Sequence, residues 1–312
     1  MRDIKTITEQ ILDETEKIIK GKRYEIKLLI MSMFAGGHVL IDDVPGTGKT
    51  TLVKIIAKAL DCESKRIQFV SDSMPSDIIG MNIYNQKEHD FQLRKGAVFT
   101  NILLADEINR AMPRTQSALL EAMEENQVTI DGSAYILPKP FLVVATENPV
   151  EYESTFNLPI AQLDRFFIKL SLGYPSRDDE KRMLMSSGHG IDLSSVDKVI
   201  DAAEFLELSE TIREIHIEER VLDYIIDLVN QTRNRDDIAI GASPRATKSL
   251  FQASKTWAAM QGRDFVTPDD VREIAEPVLS HRLVVSVMAD LTNGQKKDLI
   301  MDILEEIEIK KD

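Results

Sequence analysis

A stretch that could bind phosphate, Gly46-Thr47-Gly48-Lys49-Thr50-Thr51, follows a short apolar run and precedes apolar residues at helical spacing. This order predicts a strand, a tight loop and a helix. Glycines let successive backbone N–H groups converge at a helix N-terminus, an arrangement that binds polyphosphates. Lys49 would then reach the β- and γ-phosphates, and the Thr50 hydroxyl would hold a Mg²⁺ ion. These residues therefore predict a site for a nucleoside triphosphate.

The predicted phosphate loop departs from the usual pattern at one position. Such loops commonly read G-x-x-x-x-G-K-[ST], and Asp43 stands where the first glycine is expected. A turn between a strand and a helix that binds no ligand is therefore an alternative interpretation. Residues elsewhere in the chain must decide between the two.

Two carboxylates, Asp106 and Glu107, follow the apolar run 101–105, which is typical of a buried parallel strand. Ligands of open α/β sheets bind at the carboxyl ends of the strands. Because an acidic pair at that place needs a cation nearby, we expect Asp106 to share the Mg²⁺ ion with Thr50. Glu107 is suited to orient and deprotonate an attacking water. The alternative is a solvated acidic strand end without a ligand. The predicted phosphate loop favours the metal-binding interpretation over that alternative.

Two further polar residues are candidates for contact with the γ-phosphate. Asn148 follows the apolar run 141–145 and could also contact the attacking water, although Asn before Pro is an ordinary turn as well. Arg245 stands at the start of a predicted helix, where a bound triphosphate could recruit it. A solvated arginine is the alternative interpretation of that position.

The two helical patterns that precede the loop are candidates to contact the nucleotide base. The first pattern stops at Gly21 and the second at residues 36–37. We expect the backbone from 18 to 21, which includes Ile19 and Gly21, to lie against the base. Simple packing of these residues is the alternative.

The order of apolar segments predicts the architecture that positions these residues. Short runs at 39–41, 67–70, 101–105, 141–145 and 166–170 alternate with helical patterns, which favours an α/β fold with a parallel sheet and flanking helices. Beyond a linker at 173–176, strand signals vanish and helical spacing takes over. We expect two domains, residues 1–173 and 174–312, the second smaller and all-helical. The first carries an insert at about 71–96 with a possible hairpin at 84–91, and a second hairpin is expected at 128–137.

Composition limits the class of protein and its surroundings. The 312 residues are 43% hydrophobic and 29% charged, as in a soluble globular protein. Cys62 is the only cysteine, so no internal disulfide is possible. The N-terminus lacks the apolar core of a signal peptide and no apolar run reaches the length of a membrane span, so we expect a cytoplasmic protein without membrane insertion. A net charge of −14 argues against broad binding of nucleic acid, although a local basic loop inside a ring would escape that argument.

Six ordered sequence blocks resemble one known family over nearly the whole chain. They are VPGTGKT, MPSDIIG, LLADEINRAMPRTQSALLEAMEE, FLVVATENP, LPIAQLDRFF and GASPRA, and together they look like the MoxR group of AAA+ ATPases. The resemblance implies a P-loop core followed by a helical lid, with ATP and Mg²⁺ as cofactors. Loops of the DVPG type are familiar in this group, so Asp43 puts little in doubt. The segment 71–96 corresponds to the helix-2 insert of this clade.

The resemblance also implies a role for each matched residue. Lys49 and Thr50 match the Walker A pair, and Asp106 and Glu107 match the Walker B pair. Asn148 matches sensor 1, Arg245 sensor 2, and Arg165 the arginine finger that reaches the γ-phosphate of a neighbouring subunit. The nucleotide contacts are then expected from Ile19, Gly21, Pro45, Gly46, Thr47, Gly48, Lys49, Thr50, Thr51 and Asp106.

An active site completed by a neighbour implies a ring, which in this family is a hexamer. Arg110 and Arg114 lie close in sequence to the Walker B pair and are further candidates to act between subunits. Relatives of the family look like chaperones that act with proteins that carry a von Willebrand factor A domain, often in metal or cofactor insertion or complex assembly. The resemblance therefore implies a partner protein of that kind.

Two other classes of function remain open on the sequence alone. One is a nucleotide-gated assembly module that binds ATP and a partner with negligible turnover. The presence of Glu107 and Arg165 favours hydrolysis, since a pure binding module has little need of either residue. The other is a nucleic-acid motor, which conflicts with the net charge of −14.

Overall fold

A computed structural model describes residues 3–44, 46–148, 155–186, 193–286 and 296–307. Its centre is a five-stranded sheet in which every neighbouring pair of strands is parallel. The strands are β1 (Val39–Asp42), β2 (Ser64–Gln68), β5 (Ile102–Asp106), β8 (Leu142–Glu147) and β9 (Ile168–Leu170). Their order across the sheet is β2-β5-β8-β1-β9. The expected parallel sheet is therefore confirmed, with β8 between the two strands that lead into the phosphate loop and the acidic pair.

Alternating side chains of the strands enter two separate apolar clusters, one on each face of the sheet. In β1, Val39 and Ile41 belong to one cluster, whereas Leu40 belongs to the other. The same alternation holds in β5 and β8, whose central residues are all buried. Burial on both faces explains why these strands read as continuous apolar runs in the sequence.

Helices cover both faces of the sheet. Of the helices outside the C-terminal part, those whose apolar residues join the first cluster are α1 (Ile4–Glu16), α2 (Arg23–Phe34) and α3 (Lys49–Ala59). Two helices contribute to the second cluster, α4 (Pro75–Ile79) and α5 (Pro113–Glu125). A short helix, α6 (Ile160–Leu163), then leads toward β9.

Two antiparallel hairpins extend from the core at the places where the sequence predicts them. The first pairs β3 (Gly80–Asn85) with β4 (Asp90–Lys95), and the second pairs β6 (Gln127–Ile130) with β7 (Ser133–Ile136). Asp131 and Gly132 form the turn of the second hairpin, both with positive φ, as such tight turns require. An Asn82–Asp131 hydrogen bond of 2.9 Å joins the two hairpins.

The C-terminal part is a helical lid, as expected, with one addition. Its helices are α7 (Arg177–Ser186), α8 (Ala202–Thr211), α9 (Glu219–Gln231), α10 (Pro244–Met260), α11 (Pro268–Leu279) and α12 (Lys296–Glu306). A short antiparallel ribbon of β10 (Ile238–Ile240) and β11 (Val284–Val285) also lies here, and the sequence pattern did not predict it. Strands of two and three residues are too short to give a period-2 signal. Apolar residues of the lid share one cluster with α1, α2 and β9.

A buried histidine links three elements of the core. The Val143 N–H donates to Nδ1 of His38 at 3.0 Å, and His38 Nε2 donates to the Met123 carbonyl at 2.9 Å. The imidazole is therefore neutral, since only the neutral ring has one donor and one acceptor nitrogen. Burial lowers the pKa of His38 to about 4, against the weaker opposing effect of the Met123 carbonyl.

Acid should weaken the fold through His38. Below an ordinary pKa of 6.5 the unfolded chain binds a proton that the folded chain takes up only near pH 4. This group alone is expected to lower the free energy of unfolding by about 1.4 kcal/mol per pH unit within that window. Urea unfolding of the wild type and His38→Gln at several pH values measures the difference. Stability should fall less steeply in the variant, and parallel curves would contradict the assignment.

Candidate functional site

A cleft of about 740 Å³ opens at the carboxyl ends of β1, β5 and β8. Three groups of predicted residues come together there: the phosphate loop, the acidic pair and the residue after β8. The lining includes Gly46, Thr47, Gly48, Lys49, Thr50, Thr51, Asp106, Glu107 and Asn148. Because β8 lies between β1 and β5, Asn148 stands between the loop and the acidic pair. Pro45, also predicted to contact the nucleotide, lies outside the described residues.

The phosphate loop has the backbone that the sequence predicts. Gly46 and Gly48 have φ values of 90° and 86°, in the left-handed region that favours glycine, and α3 begins at the next residue, Lys49. Lys49 is buried, and its Nζ donates to the carbonyl oxygens of Asp43 and Val44, both at 3.0 Å. A phosphate in the cleft would offer this ammonium group a charged acceptor in place of two neutral ones.

Asp43, at the position of the missing glycine, is buried and joins the loop to the chain that follows β9. Its carboxylate accepts hydrogen bonds from the Ser171 hydroxyl at 3.0 Å and from the N–H groups of Leu172 and Gly173. The side chain therefore ties the phosphate loop to the connection between β9 and the lid. A glycine could not make this contact.

The acidic pair is held by a hydroxyl group that sequence reasoning missed. Thr146 Oγ1 donates to Asp106 at 2.6 Å and accepts from the Glu107 N–H at 2.9 Å. Glu107 adopts a left-handed backbone with φ 58° and ψ 52°, which is uncommon for a residue with a side chain and is found at functional sites. Thr146 lies on β8 beside the pair, and its place at the end of an apolar run was the available signal.

Two arginines pair with the acidic residues. Arg66, on β2, lies 2.7 Å from Asp106, and Arg110 lies 3.0 Å from Glu107. Arg66 also lines the cleft and was not predicted from the sequence. No signal in the sequence could have found it, because Arg66 is the middle residue of β2 and the pairing of β2 with β5 is known only from the structure. Arg110 was a candidate to act between subunits, and in the described chain it contacts Glu107 of its own subunit.

The opposite part of the cleft is formed by the chain between α1 and α2. Ile18, Ile19 and Lys20 line it, together with residues of the lid connection such as Gly173 and Pro175. Gly21 is not among the lining residues. It turns with φ 72°, and a Cβ there would overlap the Asp179 carboxylate. Contact of this segment with a nucleotide base stays a prediction for both Ile19 and Gly21.

Arg165 and Arg245 lie on a different surface from the cleft. Both pair with Glu124 of α5, with Arg165 at 3.0 Å, and Arg165 also donates to the Leu120 carbonyl at 3.1 Å. Neither arginine lines the cleft, whereas Asn148 does. The structure thus separates Asn148 from the two arginines, and it places the arginines together.

Comparison with known proteins agrees with this geometry. Residues 38–168 match the family model described as "ATPase family associated with various cellular activities (AAA)", and residues 230–303 match the AAA lid domain. The chaperone MoxR1 of Mycobacterium tuberculosis is 38% identical, over 89% of this chain and 76% of the relative. The uncharacterized protein YeaC of Bacillus subtilis is 39% identical, over 98% and 96% of the two chains.

The chain belongs to the MoxR family of AAA+ ATPases. A solved structure of a candidate ATPase from Cytophaga hutchinsonii has the same fold, with a TM-score of 0.92 and 39% identity, and the match covers 99% of this chain and 96% of that one. The fold class and the family predicted from the sequence are thus confirmed. Nucleotide binding follows as a property of the family.

The residues of the MoxR-family cleft fit Mg²⁺-ATP. The Thr47 hydroxyl is buried and finds no hydrogen-bond partner among the described residues, as expected for a group that faces a phosphate. Thr50 and Asp106 offer oxygen ligands of the kind that Mg²⁺ prefers. Within the described ranges no group of three or more His, Cys, Asp or Glu side chains could hold a metal ion.

Arg66 should compete with Mg²⁺ for Asp106. Because both are cations on one carboxylate, Arg66→Gln is expected to strengthen the contribution of Mg²⁺ to nucleotide affinity by about two- to fivefold. The measurement is the Kd of a fluorescent ADP with Mg²⁺ and with EDTA, expressed as a ratio.

Lys65→Gln is the matched control for Arg66→Gln. Lys65 is the preceding residue on β2 and carries the same charge, but it bonds the Phe99 carbonyl at 2.8 Å. Its ratio of affinities should equal that of the wild type. An unchanged ratio in Arg66→Gln would show that Arg66 does not restrain Asp106.

Proposed function

We propose that this MoxR-family protein hydrolyses ATP as a ring in which each nucleotide is bound by one subunit and completed by arginines of the next. The position of Arg165 and Arg245 carries the proposal. Both contact Glu124 on a surface separate from the cleft, so within one subunit they have an acidic partner and no phosphate. A head-to-tail contact that brings this surface to a neighbouring cleft generates a ring when the rotation between subunits closes. By the family resemblance the ring is a hexamer.

The residues of one cleft would supply most of the machinery. Lys49 leaves its two backbone carbonyls for the phosphates, and Thr50 and Asp106 hold Mg²⁺, which when bound neutralises and orients the phosphate oxygens. Glu107 orients the attacking water and accepts its proton, and Asn148 aligns that water with the γ-phosphate. Arg66 and Arg110 must release Asp106 and Glu107 for these roles.

The arginines from the neighbour would stabilise the charge that spreads over the γ-phosphate oxygens. An arginine supplied by a second subunit contributes on the order of 10³–10⁵ in rate in other nucleotide hydrolases. Arg245 was predicted to be recruited by a triphosphate at its helix N-terminus. Its place beside Arg165 favours the same neighbouring nucleotide as the target of both side chains.

We further propose that turnover drives remodelling or maturation of a partner protein, of the kind that carries a von Willebrand factor A domain. The chaperone name of the relative from M. tuberculosis supports such work, and the family resemblance supplies the class of partner. The hairpin β3–β4 offers a surface for it, since Met81, Ile83, Tyr84 and Phe91 are all exposed there.

Turnover should depend on assembly and on both Glu107 and Arg165. We expect ATP turnover per subunit to rise with protein concentration in parallel with the assembled mass. Glu107→Gln should lower it by about 10²–10⁴ and Arg165→Ala by about 10³ or more, with ATP binding retained. Phosphate release, light scattering and nucleotide binding measure the three quantities.

A matched control and a contradicting outcome complete this test. Arg213→Ala removes an exposed arginine of the lid that pairs with Glu210 at 2.7 Å, and it should leave turnover unchanged. Wild-type turnover that is negligible at every concentration, with intact ATP binding, would instead indicate the nucleotide-gated assembly module.

Mixed rings should show that Arg165 acts on a neighbour. Glu107→Gln subunits have an inactive cleft and an intact Arg165. Arg165→Ala subunits have an intact cleft but lack the arginine that a neighbouring cleft needs. In an equal mixture about one cleft in four combines an intact glutamate with an intact neighbouring arginine, so about a quarter of wild-type turnover should return. Turnover of the mixture that only averages the two variants would exclude the proposed geometry.

A further inference from the structure

A buried ion pair joins the lid to the segment that carries Arg165. Arg282, in the turn after α11, is 3% exposed, and its Nε lies 2.9 Å from Oδ1 of Asp164. Asp164 directly precedes Arg165. Asp164, the residue before the proposed arginine finger, thus compensates the charge of Arg282.

The lid also binds the backbone on the other side of Arg165. Arg282 Nη2 donates to the Phe166 carbonyl at 2.6 Å and to the Ser249 hydroxyl at 3.0 Å. His281 Nε2 donates to the same Phe166 carbonyl at 3.0 Å. Two consecutive lid residues therefore hold the segment 164–166 at both of its ends.

The same carboxylate reaches the helix that carries Arg245. The Ser243 hydroxyl donates to Asp164 at 2.8 Å. Ser243 is also the N-cap of α10, where its oxygen accepts from the Arg245 N–H at 3.1 Å. Asp164 is accordingly one hydrogen bond from the start of α10 and one residue from Arg165.

Net stability does not account for the ion pair between Arg282 and Asp164. A buried ion pair often adds little net stability, because two charges lose their hydration. Burial lowers the pKa of Arg282 to about 10. Asp164 opposes this decrease in pKa and nearby Arg245 adds to it, and the guanidinium stays charged at neutral pH. What the pair does provide is fixed geometry, since each of its groups has directed contacts with the segment 164–166 and with α10.

We propose that Arg282 is a positioning residue that locks Arg165 and Arg245 into one unit with the lid, so that both are presented together to the neighbouring nucleotide. This inference rests on the proposed function. Arg282 does not line the nucleotide cleft of its own subunit. A lid movement in one subunit would displace both arginines at once, which links the nucleotide state of one cleft to hydrolysis in the next.

The test uses Arg282→Lys, which keeps the charge but cannot contact Asp164, Phe166 and Ser249 at once. Asp164→Asn is a second variant that leaves Arg282 and its backbone contacts in place. We expect each to lower turnover of the full-length protein by about 10- to 100-fold, the scale of a misplaced catalytic group. Binding of fluorescent ADP in the variant's own cleft should be unchanged.

Mixing experiments separate positioning from general damage. A variant with an intact cleft and a misplaced arginine should regain turnover with Glu107→Gln subunits and none with Arg165→Ala subunits. A lid defect that harms the variant's own cleft would give the opposite pattern and would overturn the inference, as would wild-type turnover in Arg282→Lys and Asp164→Asn. Arg235→Lys, which alters a lid arginine paired with Asp237 and Glu306, should behave as wild type in every mixture.

The two proposals fail in distinguishable ways. If Glu107→Gln and Arg165→Ala subunits do not restore each other, the neighbour-completed active site is wrong. If they do, and neither Arg282→Lys nor Asp164→Asn follows the pattern of Arg165→Ala, only the role of Arg282 is wrong. Should Arg282→Lys fail to fold, Asp164→Asn decides the outcome.

Discussion

Carboxylates gathered at the carboxyl edge of a parallel sheet need cations in every state of the protein. Asp106 and Glu107 meet this constraint through Arg66 and Arg110, while Lys49 rests on backbone carbonyls. Mg²⁺ and a triphosphate would replace these contacts with stronger ones, because the phosphate attracts the lysine and the metal attracts the aspartate. Binding of Mg²⁺ and a triphosphate would therefore exchange the partners of these side chains within the framework that positions them.

That framework reaches the lid along two polar routes. Asp43 connects the phosphate loop to residues 171–173, and Asp164 connects the segment of Arg165 to Arg282. Asp43 accepts hydrogen bonds from residues that are distant in sequence, and Asp164 pairs with an arginine that is distant in sequence. Asp43 is buried, and Asp164 is partly buried. The lid is thus connected to the phosphate loop and to the two arginines. Movement of the lid is therefore suited to couple the nucleotide cleft of a subunit to the surface that carries Arg165 and Arg245.

The sequence allowed much of this to be predicted, because strong motifs fall at strand ends. The phosphate loop, the acidic pair and Asn148 each follow a continuous apolar run, and parallel strands bring their carboxyl ends together. Thr146 also ends such a run, but its contacts with the acidic pair, like the contacts of Arg66 and Arg282, depend on strand order and on the docking of the lid. The sequence also could not show that Arg245 lies away from the cleft of its own subunit and pairs with Glu124, because this pairing depends on how α10 packs on the core.

Completion of the active site by a second subunit can be observed in the assembled protein. The most direct measurement is a structure of assembled Glu107→Gln with Mg²⁺ and ATP, determined by electron cryo-microscopy, in which the distance from each Arg165 guanidinium to the γ-phosphates is read. We expect Arg165 to leave Glu124 and to lie within hydrogen-bond distance of the γ-phosphate bound by the neighbouring subunit. An Arg165 that stays on Glu124 in the assembled protein, or that reaches the nucleotide of its own subunit, would contradict it.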